Sequence, residues 1–331
     1  FSGFIFIPVA FSQYKFEKPV VIGSELGFRF NNIRSVIKGN DGFMWLGTSE
    51  GLCRFDGQQV KTIKLTDNFN NAPFTNSVFA VLPVESEIWA GTSQGLSVMN
   101  SRDYTFRHYQ FTENGKSDSL KRSIDQQVSV LHCDRFGTLW VGTRRGICMY
   151  DEAKDNFQFF SHSKKEFPPL FPSLGSDIAI LSIESSKTND SVIWAGTAAG
   201  LQEINQYSGR VRLYTFPQQN KDYQVALNAF RRLYHHDDGL LYVGSWAAGV
   251  NVFNPVKATF TPLEVKSENG KRIFSKPIEG ICRKNDHEIW ITSVAGLAIY
   301  DLKLKDIVWH KFNNSVENEF YAVDYIDEAN R

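Results

Sequence analysis

Short apolar runs alternate with polar turns along almost the whole chain, and one aromatic motif recurs within that alternation. The motif begins with an aliphatic residue and an aromatic anchor, which are followed by any one residue and then by Gly-Thr. Two further residues separate Gly-Thr from a Gly-Leu pair. The six anchors are Trp45, Trp89, Trp140, Trp194, Tyr242 and Trp290. Neighbouring anchors lie 44 to 54 residues apart, and this spacing is typical of a radial repeat architecture rather than of a two-layer domain.

Each repeat predicts four short antiparallel strands. The first is an apolar run upstream of the anchor, such as residues 33–37, and a turn such as Asn40-Asp41-Gly42 joins it to the anchor strand. Asp-Gly suits this turn because it tolerates the positive φ of a tight hairpin. After the anchor strand, the chain turns into a third strand that ends before Asp or Asn, and a fourth strand closes the unit. Candidates for the fourth strand are residues 104–109, 156–160, 211–216 and 307–312.

The fold class predicted by these repeats is all-β: a β-propeller of four-stranded blades, with six complete blades plus pieces of a seventh. Each large aromatic anchor buries on the order of 200 Å², which stabilises the fold by at most about 5 kcal/mol. We therefore expect the anchors to pack between blades as scaffold. The propeller is assigned to residues 14–331, of which residues 315–331 match the start of another blade. Such an incomplete seven-bladed ring predicts the N-terminal part of a longer protein.

Composition narrows the class of protein further. The 331 residues include 36 Lys and Arg and 36 Asp and Glu, and this balance argues against a nucleic-acid-binding surface, which needs a basic excess. No apolar run reaches the roughly 20 residues of a membrane span. Residues 1–12 are apolar and uncharged and contain Ala10-x-Ser12, which is typical of the end of a secretory signal peptide. An ordinary apolar strand is the alternative for this segment.

Catalytic and metal-binding patterns give no assignment. We expect the cysteines to be small buried hydrophobic residues rather than disulfide partners, because they fall in non-adjacent repeats. They are Cys53, Cys133, Cys148 and Cys282. His235-His236-Asp237-Asp238 lies in a predicted hairpin turn without a third ligand at metal-binding spacing. Residues 244–249 lack the G-x-S-x-G spacing of a nucleophile elbow. The sequence therefore predicts no catalytic residue, no metal and no cofactor.

The loops between second and third strands vary in sequence, and they are the predicted ligand-binding elements. Arg144-Arg145 and a longer loop with Trp246 depart most from the repeat. Arginine pairs suit carboxylate or sulfate groups, and tryptophan suits the apolar face of a sugar ring. We predict a ligand-binding rim formed by Arg144, Arg145, Trp246, Glu50 and Gln94. The alternatives are a solvated rim and a surface that docks another domain or subunit.

The run from Asp41 to Gly57 carries the pattern G-x-x-W-x-G-T-x-x-G-L-x-x-x-D. It resembles the consensus of two-component regulator propeller repeats, and six repeats in phase extend the resemblance over residues 14–331. That family forms the periplasmic sensor region of hybrid two-component system histidine kinase/response regulators. Such proteins typically carry two seven-bladed propellers, a small β-sandwich and a membrane helix before the kinase. The departures at Tyr242, at Thr292 and in the longer loop weaken individual blades but not the resemblance.

The resemblance implies the periplasmic sensor propeller of an inner-membrane protein. It implies sensing, or scaffolded recognition, of an oligosaccharide that controls polysaccharide utilisation. The expected partners are that oligosaccharide and, in the same full-length chain, a second propeller and a membrane-proximal domain. A homodimer stays open, and nucleic acid is not expected. On this hypothesis the segment is not an enzyme, and a histidine kinase lies downstream. The alternative is a secreted propeller enzyme of the lyase or glycoside hydrolase type, which the lack of a convergent His, Tyr or carboxylate set disfavours.

Overall fold

Six antiparallel four-stranded sheets make up the computed structural model of the chain. The structure describes residues 33–65, 76–111, 126–144, 146–160, 179–216, 228–265, 277–293 and 296–310. In each sheet, four strands that are consecutive in the sequence lie side by side in their sequence order. This is the topology of a β-propeller blade, and we number the blades 1 to 6 along the chain. The predicted all-β propeller with six four-stranded blades is confirmed.

Every blade follows the same plan. The inner strands are β1 (Ile33–Lys38), β5 (Val78–Val84), β9 (Val128–Cys133), β13 (Ile180–Ser185), β17 (Phe230–His235) and β21 (Ile278–Arg283). The anchor strands are β2 (Met44–Thr48), β6 (Glu87–Thr92), β10 (Leu139–Thr143), β14 (Val192–Thr197), β18 (Leu241–Ser245) and β22 (Glu288–Ser293). The third strands are β3 (Gly51–Phe55), β7 (Gly95–Asn100), β11 (Gly146–Asp151), β15 (Gly200–Asn205), β19 (Val250–Asn254) and β23 (Gly296–Asp301). The outer strands are β4 (Val60–Ile63), β8 (Phe106–Tyr109), β12 (Asn156–Phe160), β16 (Val211–Tyr214), β20 (Thr259–Pro262) and β24 (Asp306–His310).

Two outer strands are shorter than the sequence predicted. Strand β8 begins at Phe106 rather than at residue 104, because Tyr104 has a φ of 60°, a left-handed conformation that belongs to a turn and not to a strand. Strand β16 ends at Tyr214 rather than at residue 216. The backbone N–H of Phe216 instead donates to the Asn228 side chain at 2.8 Å. A turn conformation therefore delays the start of β8, and a side-chain hydrogen bond takes the place of a ladder hydrogen bond after β16.

The aromatic anchors form the seams between blades. Trp140 of blade 3 is fully buried in one cluster with Ile180, Ile183 and Ile193 of blade 4. Four further anchors, Trp45, Trp89, Trp194 and Tyr242, pack on the next blade in the same way. Their exposed fractions are 0% for Trp45, 3% for Trp89, 2% for Trp194 and 5% for Tyr242. These anchors are therefore scaffold, as predicted. Trp290 of blade 6 is only partly buried, and the next segment of chain lies outside the described residues.

The glycine two residues after an anchor lets the next blade approach closely. A Cβ atom on Gly196 would lie 2.4 Å from the backbone oxygen of Phe230, the first residue of β17. A Cβ atom on Gly91 would lie 2.6 Å from Cγ1 of Val128, the first residue of β9. A larger side chain would overpack these seams. The motif thus combines a bulky ring that fills the seam with a glycine that allows the seam to close.

Aspartates of the first hairpin turn hold two of the indole rings. Asp134 Oδ2 accepts a hydrogen bond from Trp140 Nε1 at 3.1 Å, while its Oδ1 accepts two backbone N–H groups of the same turn. Asp41 accepts from Trp45 Nε1 at 3.2 Å. Since a buried indole N–H needs a partner, the same aspartate closes the hairpin and satisfies the anchor.

The four cysteines are all free thiols. Cys53 and Cys148 are buried, as expected for third strands that face the blade interior. The prediction of full burial is wrong for Cys133 and Cys282, which lie on inner strands and are only partly buried. The predicted signal peptide at residues 1–12 and the predicted seventh-blade pieces beyond residue 310 lie outside the described residues. Within the described part of the chain, no helix has the length and hydropathy needed to cross a membrane.

Substitution Trp140→Ala tests the seam. It removes a fully buried ring, and we expect the free energy of unfolding to fall by about 3–5 kcal/mol. Urea denaturation followed by circular dichroism measures the change. The matched control is Phe136→Ala, since Phe136 lies in the adjacent turn and is 59% exposed. A control that costs as much as Trp140→Ala would contradict the scaffold role of the anchor.

Candidate functional site

A β-bulge near the start of every inner strand inserts one extra residue. In blade 1, Ile33 pairs with Thr48 and Ser35 pairs with Gly47, so Arg34 is left without a partner residue on β2. The same irregularity occurs at the same position in all six blades. Bulges of this kind re-aim a side chain and are common near functional sites. The six bulge residues are Arg34, Phe79, Ser129, Leu181, Arg231 and Glu279.

The bulges lie on the face of the ring that carries the loops between second and third strands, which we call the loop face. The backbone N–H of Trp246, directly after β18, donates to the carbonyl of Ala229, directly before β17, at 3.0 Å. The N–H of Arg144 donates to the carbonyl of Gln127 in the same way at 3.2 Å. These bonds tie each loop to the start of the inner strand of its own blade.

The motif threonine fixes the conformation of each of these loops. Thr48 Oγ1 donates to the Gly51 carbonyl at 2.8 Å and accepts from the backbone N–H of Glu50 at 3.1 Å. In blade 5 the loop has one extra residue, and Ser245 Oγ accepts from the more distant Ala248 N–H at 2.5 Å. The extra residue widens the loop in which Trp246 lies.

Trp246, Arg231 and Glu279 form a cluster across blades 5 and 6 on the loop face. The Arg231 guanidinium carbon lies 4.6 Å from the centre of the Trp246 ring, and Nη1 of Arg231 donates to Oε1 of Glu279 at 3.0 Å. Trp246 is 49% exposed, whereas Glu279 is buried. Burial raises the pKa of Glu279, and the charges of Arg231 and Arg232 oppose that shift. In this cluster, the ion pair of Arg231 and Glu279 joins two blades, and Arg231 packs against the accessible indole of Trp246.

Arg34 and Phe79 form a second contact between bulge residues, across blades 1 and 2. The Arg34 guanidinium carbon lies 4.1 Å from the centre of the Phe79 ring, and Nη1 donates to Ser77 Oγ at 2.6 Å. Burial lowers the pKa of Arg34, because a partly buried guanidinium loses hydration. The ring contact and the hydrogen bond to Ser77 together hold the Arg34 guanidinium at the channel wall.

The inner strands of all six blades enclose a central channel with a cavity of about 350 Å³. Serine hydroxyls in its wall join neighbouring blades. Ser35 Oγ accepts from the backbone N–H of Val81 at 3.2 Å. Arg232 takes the equivalent place in blade 5, where its Nε donates to the Glu279 carbonyl at 2.6 Å. In blade 5 a charged side chain therefore makes the hydrogen bond to the next blade that a serine hydroxyl makes in blade 1.

The described residues of the predicted rim lie on the loops of four different blades. Trp246 contacts Arg231, which pairs with Glu279, and neither of these partners was among the predicted residues. Arg144, Glu50 and Gln94 lie on the loops of blades 3, 1 and 2, and among the described residues no hydrogen bond, ion pair or ring contact joins them to Trp246. The side chain of Arg145 lies outside the described residues. A ligand role for the rim residues stays a prediction.

The sequence analysis missed the bulge residues, although the repeats contain a signal for them. When the inner strands are aligned on their first residues, the first and fourth positions are apolar in every blade, as in Ile33 and Val36 of blade 1 or Phe230 and Leu233 of blade 5. The second position instead changes between Arg, Phe, Ser, Leu and Glu. The residue type at the second position varies while its neighbours in the strand stay apolar. The packing of the blade therefore does not require a particular side chain there. Period-2 alternation hid it because the bulge shifts the register by one residue.

Glu184 and His235 occupy the seam between blades 4 and 5 at the opposite end of the inner strands. Glu184 lies directly across the strand pair from Trp194. Burial raises its pKa to about 7, while the charge of Lys187 and a hydrogen bond from the His235 backbone act in the opposite direction. The Lys187 N–H donates to His235 Nδ1 at 2.9 Å, so His235 is held as the tautomer with its proton on Nε2. Burial lowers the pKa of His235.

The His-His-Asp-Asp turn of blade 5 does not converge on a single point. His235 is fully buried between blades, whereas His236 lies in the turn, where its Nδ1 accepts from the backbone N–H of Asp238 at 3.2 Å. The part of the chain that the structure describes holds no group of three or more His, Cys, Asp or Glu side chains placed to bind a metal ion.

Comparison with known proteins supports the propeller assignment. The family model of the two-component regulator propeller matches residues 27–50, which include the first hairpin and the first anchor. The resemblance of the repeats to this family is thus confirmed. No curated protein matches the chain at a significant level.

Several solved structures share the fold. The extracellular domain of BT3049, assigned as a hybrid two component system of B. thetaiotaomicron, is 23% identical with a TM-score of 0.67, and the match covers 92% of this chain and 38% of that one. The extracellular domain of BT4673, assigned as a one component system of the same organism, is 16% identical with a TM-score of 0.54, covering 83% and 39%. Virginiamycin B lyase from Staphylococcus aureus is 10% identical with a TM-score of 0.60, covering 86% and 85%. The chain thus spans about two fifths of the length of the two extracellular domains.

The raised pKa of Glu184 predicts a pH-dependent stability. The folded state keeps the proton of this carboxyl more tightly than the unfolded chain does, so the associated stability is complete below about pH 4.5 and is lost as the pH rises through about 7. Substitution Glu184→Gln should remove at most about 3 kcal/mol of this dependence.

Urea denaturation at several values between pH 5 and pH 8 measures the effect as the difference between wild type and variant. The control is Glu152→Gln, since Glu152 is exposed in the turn of blade 3 and should leave the slope unchanged. Parallel pH profiles for wild type and Glu184→Gln would show that the carboxyl is not held in its neutral form.

Proposed function

We propose that the chain is a sensor propeller of a bacterial two-component regulator and that it recognises an oligosaccharide on its loop face. The observation that carries the proposal is the half-exposed Trp246, which is stacked on Arg231 and supported by the buried Glu279. A propeller needs none of these side chains to close its seams. An accessible indole beside charged hydrogen-bonding groups is the combination that binds sugar rings, through stacking and through directional polar contacts.

The placement of the cluster on the ring supports a sensing role. It spans the inner strands of blades 5 and 6, so a ligand bound there contacts two blades at once. Because the indole lies on a loop and the ion pair lies on inner strands, a bound ligand links a surface loop to the rigid part of the ring. A sensor domain needs such a link so that ligand binding at its site can affect the rest of the protein.

The comparisons support the wider context of the proposal. The family model that matches residues 27–50 describes two-component regulators, and two similar folds are extracellular domains assigned to signalling systems. We therefore propose a periplasmic location, further domains in the same full-length protein, and control of polysaccharide utilisation as the output. The ligand could also be held together with a second propeller or a second copy of the chain.

We propose binding rather than catalysis for this segment. Glu279, the acid of the Trp246 cluster, forms its ion pair with Arg231. Burial lowers the pKa of His132, in the channel wall, to about 4, so this imidazole is neutral and unsuited to proton donation at neutral pH. The similarity to virginiamycin B lyase concerns the fold, and fold alone does not transfer an activity.

Titration of the full-length protein with xylo-oligosaccharides and oligogalacturonides tests the proposal. Isothermal calorimetry should detect binding of at least one of them. Trp246→Ala should weaken that binding about tenfold, because stacking contributes roughly 1 kcal/mol or more. Trp246→Phe should retain part of the affinity.

The matched control is Tyr207→Ala, since Tyr207 is 77% exposed on a blade 4 turn between third and outer strands, away from the loop face. Its affinity should equal that of the wild type. Combining Arg144→Ala, Arg145→Ala and Trp246→Ala tests the wider rim. Binding that survives the combined variant would exclude this rim as the recognition site.

A further inference from the structure

The charged side chains in the wall of the central channel are all of one sign. Nineteen residues line its cavity of about 350 Å³, and Arg34 and Arg232 carry its charge. No Asp or Glu among the described residues lines the cavity. His132 also lies in the wall, but burial lowers its pKa to about 4, so it is neutral at physiological pH. The described wall therefore holds two cations and no counter-charge.

Arg34 keeps most of its hydrogen-bonding capacity. A guanidinium has five N–H donors, and among the described residues Arg34 uses one, from Nη1 to Ser77 at 2.6 Å. The centre of the Phe79 ring lies 4.1 Å from the guanidinium carbon, and this contact uses no donor. A planar fork with open donors matches a carboxylate or sulfate.

Arg232 lies in the same wall and is positioned by backbone rather than by a carboxylate. Its Nε donates to the Glu279 carbonyl at 2.6 Å, and its Nη1 donates to the Arg231 carbonyl at 2.9 Å. The nearby acid, Glu279, forms its ion pair with Arg231 at 3.0 Å. Arg231 thus has a direct ion pair, and Arg232 acts on the Glu279 carboxylate only through its charge. Among the described residues, no acid lies within ion-pair distance of Arg34.

We propose that the loop-face end of the channel is an anion-binding site in which Arg34 and Arg232 hold the carboxylate or sulfate group of an acidic saccharide. The saccharide part rests on the proposed function, whereas the anion site rests on the channel wall itself. Bulge residues Phe79 and Leu181 flank the arginines in the wall and offer apolar surface to the C–H face of a sugar. Low-dielectric walls strengthen the attraction between the arginines and an entering anion.

The first experiment uses inorganic sulfate on the full-length protein. Sodium sulfate is titrated against sodium chloride at equal ionic strength, and calorimetry and the melting temperature report binding. Wild type should bind sulfate, and Arg34→Gln should weaken binding about tenfold or more, because it removes the charge and the fork. The control Arg210→Gln changes an arginine of the outer part of blade 4 and should bind as wild type does.

A second variant guards against a folding defect in Arg34→Gln. Ser129→Glu places a carboxylate at the bulge position of blade 3, as Glu279 is placed in blade 6, and leaves both arginines intact. It should also weaken sulfate binding, since it supplies the missing counter-charge. Equal sulfate binding by wild type, Arg34→Gln and Ser129→Glu would overturn the anion site.

The second experiment separates a saccharide from a free anion. The probes are trigalacturonate and its methyl ester, which keeps the sugars and removes the charges. Tighter binding of the acid than of the ester, lost in Arg34→Gln, supports the proposal. Sulfate binding that depends on Arg34, with no preference for the acid over the ester, supports the anion site and overturns its assignment to a saccharide.

The two proposals fail in different ways. If an oligosaccharide binds and Trp246→Ala weakens it while Arg34→Gln does not, the proposed function stands and the channel site is overturned. If sulfate binding depends on Arg34 but no oligosaccharide binds or changes the regulatory output, the anion site stands and the proposed function fails.

Discussion

The contact on which the rest of the structure depends is the packing of each anchor ring, with the glycine two residues further on, against the inner strand of the next blade. The ring supplies apolar area, and the glycine removes the atom that would hold the blades apart. At Gly196 a Cβ would lie 2.4 Å from the backbone oxygen of Phe230. Because both features recur with one spacing in blades 1 to 5, the seams that follow these blades are built in the same way, whereas blade 6 has Thr292 in place of the glycine.

This regularity explains how much of the fold could be predicted from the sequence. The Trp-x-Gly-Thr motif, the Asp-Gly turns and the period near blade length act locally, so they locate hairpins and seams without any knowledge of distant contacts. The errors came at the ends of outer strands, where a turn conformation or a side-chain hydrogen bond overrides the strand pattern. The positive φ of Tyr104 shortens one outer strand, and the Asn228 side chain takes the N–H that would have extended another.

The candidate site was harder to predict because it depends on an irregularity rather than on the repeat. Trp246 stood out as a loop residue, but its partners Arg231 and Glu279 lie in inner strands, where charged residues are not expected. The bulge explains their presence, since it releases one residue per blade from the pairing of the sheet. The contacts between bulge residues of different blades depend on blade order and strand tilt. The sequence of a single repeat predicts neither of these. The seams thus stabilise the ring, and the bulge positions, which the seams do not constrain, are available for ligand binding.

Hydrogen–deuterium exchange of the full-length protein, with and without a bound oligosaccharide, tests most directly whether the seams stabilise the ring while the bulge positions bind the ligand. The account predicts slower exchange in the loop after β18 and in the first residues of β17, β21 and β1, with unchanged exchange in the buried anchor strands. Protection confined to the hairpin turns of the opposite face, or spread evenly over the anchor strands, would contradict a site built on the bulge positions of the loop face.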